Sequence, residues 1–237
     1  MLVALAAVLG MLAWKRGLLA VAAPQTINVT VVGHSWWWEI VYPDLGFKTA
    51  NELHVPIGSD IHLQLISVDV LHTLRIPELA IEAQALPGQV NNALLRVEKP
   101  GEVGGECTEI CGTAHTMMRL KVVADTQDDF HAWVSDQQKP ASTPQTERQR
   151  AGYDVLSTVC ASCHSLDPAE PRADLLGPNL AHLMSRSVFA GASFELNEGN
   201  LRRWLGDPQA MKAGNHMIVN LPRDEFDAAM EVLLLLK

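Results

Sequence analysis

Basic residues are scarce in this 237-residue chain, with 18 Lys and Arg against 27 Asp and Glu and a formal net charge of −9. That balance excludes nucleic acid as a partner, which would call for a positive surface. The deficit is uneven, with 6 basic and 14 acidic residues over 24–135 and 8 against 11 over 149–237. An acidic face speeds encounter with a basic protein at low salt, although most such charge is simply solvated. Signs of disorder and internal repeats are also lacking. At 48% hydrophobic and 19% charged residues, the chain is long enough for two modest globular domains with separate cores.

No single apolar run reaches the ~20 residues that a spanning helix needs. Residues 2–14 are uncharged and apolar, Lys15 and Arg16 interrupt them, and apolar character resumes over 17–23 before Pro24. Taken together, 1–23 could just span, with the two basic side chains snorkelling, and a membrane anchor is expected there. A cleaved signal peptide would carry its positive charge ahead of the apolar run, and here the charge follows it. Cysteine is rare as well. The four form two close pairs, Cys107 with Cys111 and Cys160 with Cys163, and each pair has a histidine within four residues of its second member, His115 and His164. Paired cysteines outside the cytosol suggest disulfides by default, but the adjacent histidines shift the reading towards metal and haem chemistry.

Apolar residues tend to alternate from 26 to 124: Ile27, Val29, Val31; Ile61, Leu63, Leu65; Leu120, Val122. Alternation marks half-buried strands, and turn signals at Gly33, Pro43, Pro56, Pro87 and Pro100 cut the region into short pieces, so an antiparallel Greek-key sandwich or barrel is expected over 24–138. A short helix over 128–138, with Phe130, Trp133 and Val134 on one face, would close it. Residues 139–148 read as a linker, with two prolines and no large apolar residue over 139–146. Helical spacing then takes over at 150–159, 198–205 and 224–236, predicting a mostly α domain over 149–237.

Cys160-Ala-Ser-Cys163-His164 is C-x-x-C-H, in which two thiols can form thioethers to haem vinyls and the histidine can ligate iron from one face. A redox dithiol would have no use for the histidine, and zinc would need two further ligands. A sixth ligand should lie about fifty residues on, since the chain must wrap round the porphyrin; Met184, Met211, His216 and Met217 are the candidates. Cys107, Glu109, Cys111, His115 and Met118 place two thiolates, an imidazole and a thioether within twelve residues, a soft set that selects copper. Zinc is the competitor, with little use for a methionine.

These motifs resemble known families. Gly177-Pro-Asn-Leu180 and 200–217 are similar to a class I cytochrome c domain, which implies Met217 as the axial ligand, although Ile218 stands where that family often has proline. The segment CTEICGTAHTMM at 107–118 resembles the dinuclear copper loop of cytochrome c oxidase subunit II. Ser67-Val-Asp-Val-Leu-His72 and Gly33-His-Ser-Trp-Trp-Trp38 resemble two further motifs of that family, some bacterial members of which carry a fused cytochrome c.

The resemblance implies a dinuclear copper (CuA) centre with Cys107 and Cys111 bridging, His72 and His115 each on one copper, and Met118 and the Glu109 carbonyl as weaker ligands. It also implies a magnesium ion on the Glu109 carboxylate, electrons arriving through Trp36, and haem c on Cys160, Cys163, His164 and Met217. The implied partners are oxidase subunit I, other oxidase subunits and a cytochrome c or similar donor. The implied place is the bacterial inner membrane, with both soluble domains on the outer, periplasmic side, and the implied route runs from the external carrier through haem c and copper to subunit I, where oxygen is reduced to water.

Trp37 is expected in packing, and His34, His54, His62, His131 and His182 as surface or satisfied core residues. Arg75, Gln84 and Gln89 depart from the family at positions that bear on contacts with subunit I and the donor, and at most one spanning helix is present where the family usually has two. The rival readings are a freestanding copper or haem electron carrier and a subunit of a nitrogen-oxide reductase.

Overall fold

The computed structural model describes residues 26–171 and 175–237. The expected anchor at 1–23 lies outside the described residues, and among those described no helix is long and apolar enough to cross a membrane. Ten strands build the first domain: β1 Thr26–His34, β2 Trp37–Tyr42, β3 Phe47–Ala50, β4 Glu52–Pro56, β5 Asp60–Ser67, β6 His72–Ile76, β7 Ile81–Ala85, β8 Asn91–Leu95, β9 Gly101–Cys107 and β10 Arg119–Asp125. They form two five-stranded sheets, in the orders β3-β2-β1-β5-β8 and β4-β10-β9-β6-β7. The predicted alternation holds in detail, with Val29, Val31, Ile61, Leu63 and Leu65 buried beside exposed Asn28, His62 and Gln64. Each fully buried side chain of this size contributes about 1.5–3 kcal/mol. Trp38, Ile40, Leu53, Leu74, Leu120 and Val122 fill the same core.

The expectation of a purely antiparallel sandwich needs correction. β1 pairs parallel with β5 (Val29 opposite Leu63) and β4 pairs parallel with β10 (Leu53 opposite Val122). Both pairs join strands separated by a long excursion, and a chain that returns through other strands can arrive in either direction, whereas a tight hairpin forces antiparallel pairing. Helix α1, Gln127–Gln137, is capped by the Thr126 hydroxyl, which accepts from the Asp129 amide, and buries Phe130 and Val134. Trp133 lies edge-on to Tyr42 and Phe47 and stacks on His54 at 4.2 Å.

The second domain contains α2 Glu147–Thr158, α3 Glu198–Gly206, α4 Pro208–Met211 and α5 Arg223–Leu233. It is not wholly helical, because β11 Val188–Phe189 and β12 Phe194–Glu195 form a small hairpin. Gly152 brings α2 onto α5, since a Cβ there would collide with the Ala228 carbonyl. The linker is shorter than expected and ends at 146, where the Thr146 hydroxyl and the Gln149 side chain cap one another's backbone and start α2. It is also held, as the Lys139 carbonyl lies 2.9 Å from His182 Nε2.

The domains pack against each other through polar contacts. Glu52 of β4 accepts from the Ser187 amide and hydroxyl (both 2.6 Å) and from the Val188 amide (2.9 Å). The Arg119 amide donates to the Gly191 carbonyl (2.8 Å), and buried Arg186 reaches Thr49 (3.1 Å).

Candidate metal centre

One end of the second sheet gathers the copper-type ligands because of how its strands are paired. β9 ends on Cys107, β10 begins at Arg119, and the intervening loop is closed by the Cys107 amide donating to the Met118 carbonyl at 2.9 Å. β6, which begins on His72, lies beside β9 with Leu74 opposite Cys107, so a histidine 35 positions upstream meets the loop. Cys107 Sγ lies 3.8 Å from Cys111 Sγ, 3.9 Å from His72 Nδ1 and 3.3 Å from the Glu109 carbonyl. Cys111 Sγ lies 3.5 Å from His115 Nδ1 and 3.9 Å from Met118 Sδ. Every expected ligand therefore converges, and the ligand atoms of His72, Cys107 and Cys111 fall within 4.8 Å of one another with all three residues buried. None of the four cysteines is disulfide-bonded, so the default pairing of neighbouring cysteines does not hold here.

The electrostatics favour a cation. The Cys111 thiol hydrogen-bonded to Cys107 Sγ, with His72 next, holds the Cys107 thiol well below its usual value, while that same bond and burial push Cys111 up. One proton leaves readily and the second only if a positive charge arrives, so metal binding here is coupled to proton release.

Asp69 supplies what the sequence motif left unassigned. Its Oδ1 lies 2.8 Å from His72 Nε2 and it also accepts from the amides of Val70 (2.6 Å) and Ser35 (2.7 Å). Burial would raise its carboxyl, but these donors hold it well below the usual carboxylate range. Burial likewise opposes a charged His72, and Asp69 and Cys107 outweigh it. In the neutral ring whose Nε2–H donates to Asp69, the Nδ1 lone pair of His72 faces the thiols, which is the tautomer a metal needs.

Trp36 covers the loop. Its Nε1 donates to the Cys111 carbonyl at 2.8 Å, and Gly112 makes room for the ring, since a Cβ there would lie 2.7 Å from Trp36 Cζ2. Trp37 stacks on His34 at 4.1 Å, as its expected packing role requires. Of the remaining histidines, His54 sits between Asp125 (2.8 Å) and Glu52 (3.6 Å), and His62 and His131 are exposed.

Cys160, Cys163 and His164 lie around a short 3₁₀ turn following α2. His164 Nδ1 is 2.7 Å from the Pro178 carbonyl, which leaves Nε2 as a free lone pair, and burial lowers the ring's pKa and keeps it neutral. Gly177 packs against that ring so closely that any Cβ would overlap Cε1. Met217 Sδ accepts from Trp204 Nε1 at 3.0 Å, and Met217, Cys160, Met184 and Met211 are all half-buried against the second core.

A β-sandwich that buries a His-Cys-Cys cluster at one end defines a class of metal-binding domain, with a donor set that fits CuA-type copper. Residues 46–125 match the family model of the periplasmic domain of cytochrome C oxidase subunit II, so it is this family that the β domain is similar to. Similar relatives include cytochrome c oxidase subunit 2 of Alkalihalophilus pseudofirmus, 32% identical over 211 residues covering 89% of this chain and 60% of the relative. The same subunit of Bacillus sp. PS3 is 34% identical over 227 residues, covering 90% and 63%. The chain thus spans about three fifths of the length of these relatives. A solved structure of the periplasmic domain of subunit II from Bradyrhizobium japonicum matches with 27% identity and a TM-score of 0.46, covering 46% of this chain and 91% of that one.

Proposed function

We propose that this chain is the electron-transfer subunit of a haem-copper terminal oxidase, anchored in the bacterial inner membrane with both domains on the outer side. In this reading it takes electrons from a cytochrome c or similar carrier and delivers them to subunit I, where oxygen is reduced to water. The observation that carries it is the convergence of two free thiols, two imidazoles, a thioether and a backbone carbonyl at separations of 3.3–3.9 Å. When bound there, copper would supply a one-electron carrier, and haem c in the second domain would supply another. Cys107, Cys111, His72 and His115 would hold the copper, and Met118 and the Glu109 carbonyl would bind more weakly.

In the second domain, His164 would ligate haem iron through its free Nε2, and Cys160 and Cys163 would anchor the macrocycle. Met217, whose Sδ accepts from Trp204 Nε1, would be the second iron ligand. What supports this is the neutral, oriented imidazole, the absent Cβ at Gly177 and the row of half-buried apolar side chains, which are what a flat apolar group would cover. Trp36, on the Cys111 carbonyl, would be the residue through which electrons reach the copper loop. The Glu109 carboxylate would share a magnesium ion with the partner subunit; among the described residues it belongs to no cluster of metal-ligating side chains, so the other ligands would come from that partner.

Co-purification with a large haem-bearing membrane subunit, together with oxidation of reduced cytochrome c by the complex, tests the assignment. Recovery of the metal-loaded chain alone from solubilised membranes would refute it and favour a freestanding carrier.

A further inference from the structure

Lys212, in the turn after α4, is 2% exposed, and among the described residues no carboxylate pairs with its ammonium. Its Nζ donates to the carbonyls of Trp36 (2.6 Å), Met117 (2.8 Å) and Ala190 (2.9 Å). Three donors thus meet three acceptors, drawn from the β1–β2 turn, the metal loop and the β11–β12 hairpin, which is the full capacity of an ammonium group. Burial draws its pKa down to about 7, so the group is held there against its own desolvation. The crossing is crowded. Gly191 has φ +74, and a Cβ on it would lie 2.5 Å from Nζ, 2.6 Å from the Met117 carbonyl and 2.7 Å from the Trp36 carbonyl. Further along the same loop, Gly214 abuts Thr113 of the metal loop, and the His216 ring lies against Trp36 with centroids 5.3 Å apart.

We propose that Lys212 is a positioning residue for electron transfer between the domains, a latch that seats the 208–217 loop on the metal loop and on Trp36. It rests on the reading of both domains as redox carriers. Lys212 is five residues from Met217, and Met117 is next to Met118. One side chain therefore fixes the separation between the ligand loops of the two centres. With the latch closed, a connection runs from His216 to Trp36 and through its N–H to the Cys111 carbonyl, and the indole face against His216 is covered by the second domain rather than offered to an external protein.

Two measurements on the full chain test this. The first is amide hydrogen exchange at Arg119, Ser187 and Val188, whose N–H groups cross the interface; the second is the rate of haem-to-copper electron equilibration after rapid reduction. Lys212→Met fills the space and leaves the Trp36 and Ala190 carbonyls without their Lys212 donor, while the Met117 carbonyl keeps only the Ser193 hydroxyl (2.8 Å), so exchange at those amides should speed up about ten- to hundredfold while both cores stay protected. Electron equilibration should slow in the same sample at unchanged copper and haem content. Lys212→Gln, which keeps part of the donor set, should fall between. Wild-type exchange in both variants would overturn the latch. Should neither variant fold, the exposed His216→Ala decides instead: slowed equilibration with interface exchange and haem spectrum unchanged supports the connection, and an unchanged rate overturns it. A chain that takes up no haem would sink the reading of the second domain, while exchange would still decide the latch.

Discussion

Asp69→Asn should weaken copper binding by making one hydrogen bond impossible whichever way the amide turns. In the native site Oδ1 faces His72 Nε2 (2.8 Å) and the Val70 amide (2.6 Å), while Oδ2 accepts from the Ser35 amide (2.7 Å). If the asparagine keeps its oxygen towards His72, its NH₂ points at the Ser35 N–H and two donors collide. If it turns over, its NH₂ faces His72 Nε2 and favours the tautomer with the proton on Nδ1, which blocks the atom that faces Cys107. Either outcome forfeits a charge-assisted hydrogen bond worth about 1.5–3 kcal/mol, and loss of such a support to a ligating histidine lowers metal affinity about ten- to hundredfold. Competition with a chelator of known copper affinity measures this directly, with thermal unfolding of the metal-free variant run alongside to separate folding from binding. A copper affinity within twofold of wild type would refute the tautomer argument.

Gly33→Ala should act on the same histidine from the other side. The added Cβ would lie 2.6 Å from His72 Cδ2, and overpacking of about 1–3 kcal/mol should appear as lost copper affinity in the same titration. Gly177→Ala should abolish or strongly reduce covalent haem in the purified chain, read from the absorbance of denatured, reduced protein, because its Cβ would displace the His164 ring from the Pro178 carbonyl.

The pH dependence of interdomain packing follows from the Glu52–His54–Asp125 cluster. Burial favours a neutral His54, but the carboxylates outweigh it and raise its pKa above 6.5. Its contribution is therefore complete below 6.5 and is lost as pH rises through the raised value. Burial would raise Glu52, but His54 and Ser187 hold it below 4.5, so its contribution is complete above 4.5 and is lost as pH falls through the lowered value. Thermal stability should therefore be greatest between 4.5 and 6.5 and fall into the alkaline range, and His54→Gln should flatten that alkaline slope.

Much of this molecule is legible from local sequence. Five of the six copper-type ligand positions lie in one loop or at its edges, between Cys107 and Met118, and C-x-x-C-H is contiguous, so both motifs can be picked out without a fold. Alternation revealed β1 and β5 because each has one buried face, and helical spacing revealed α2, α3 and α5. The direction of pairing did not show, since a strand buried on one face reads the same in a parallel or antiparallel neighbourhood. The β11–β12 hairpin is too short to carry a period. What escaped the sequence altogether is long-range polar contact: Lys212 reaches Trp36 across 176 positions and Glu52 reaches Ser187 across 135. Nothing in the surroundings of a lone lysine or glutamate in sequence announces that it is buried. Asp69 lay inside a recognised motif, yet its role depends on the side of the His72 ring it meets, which only the three-dimensional structure gives.

The most direct test of the account is a count of copper and haem in the purified, fully loaded chain, with the electron paramagnetic resonance of its oxidised form. The account predicts two coppers for each haem and a hyperfine pattern from one unpaired electron shared equally by both copper nuclei. A single copper with localised hyperfine splitting, or zinc in its place, would contradict it.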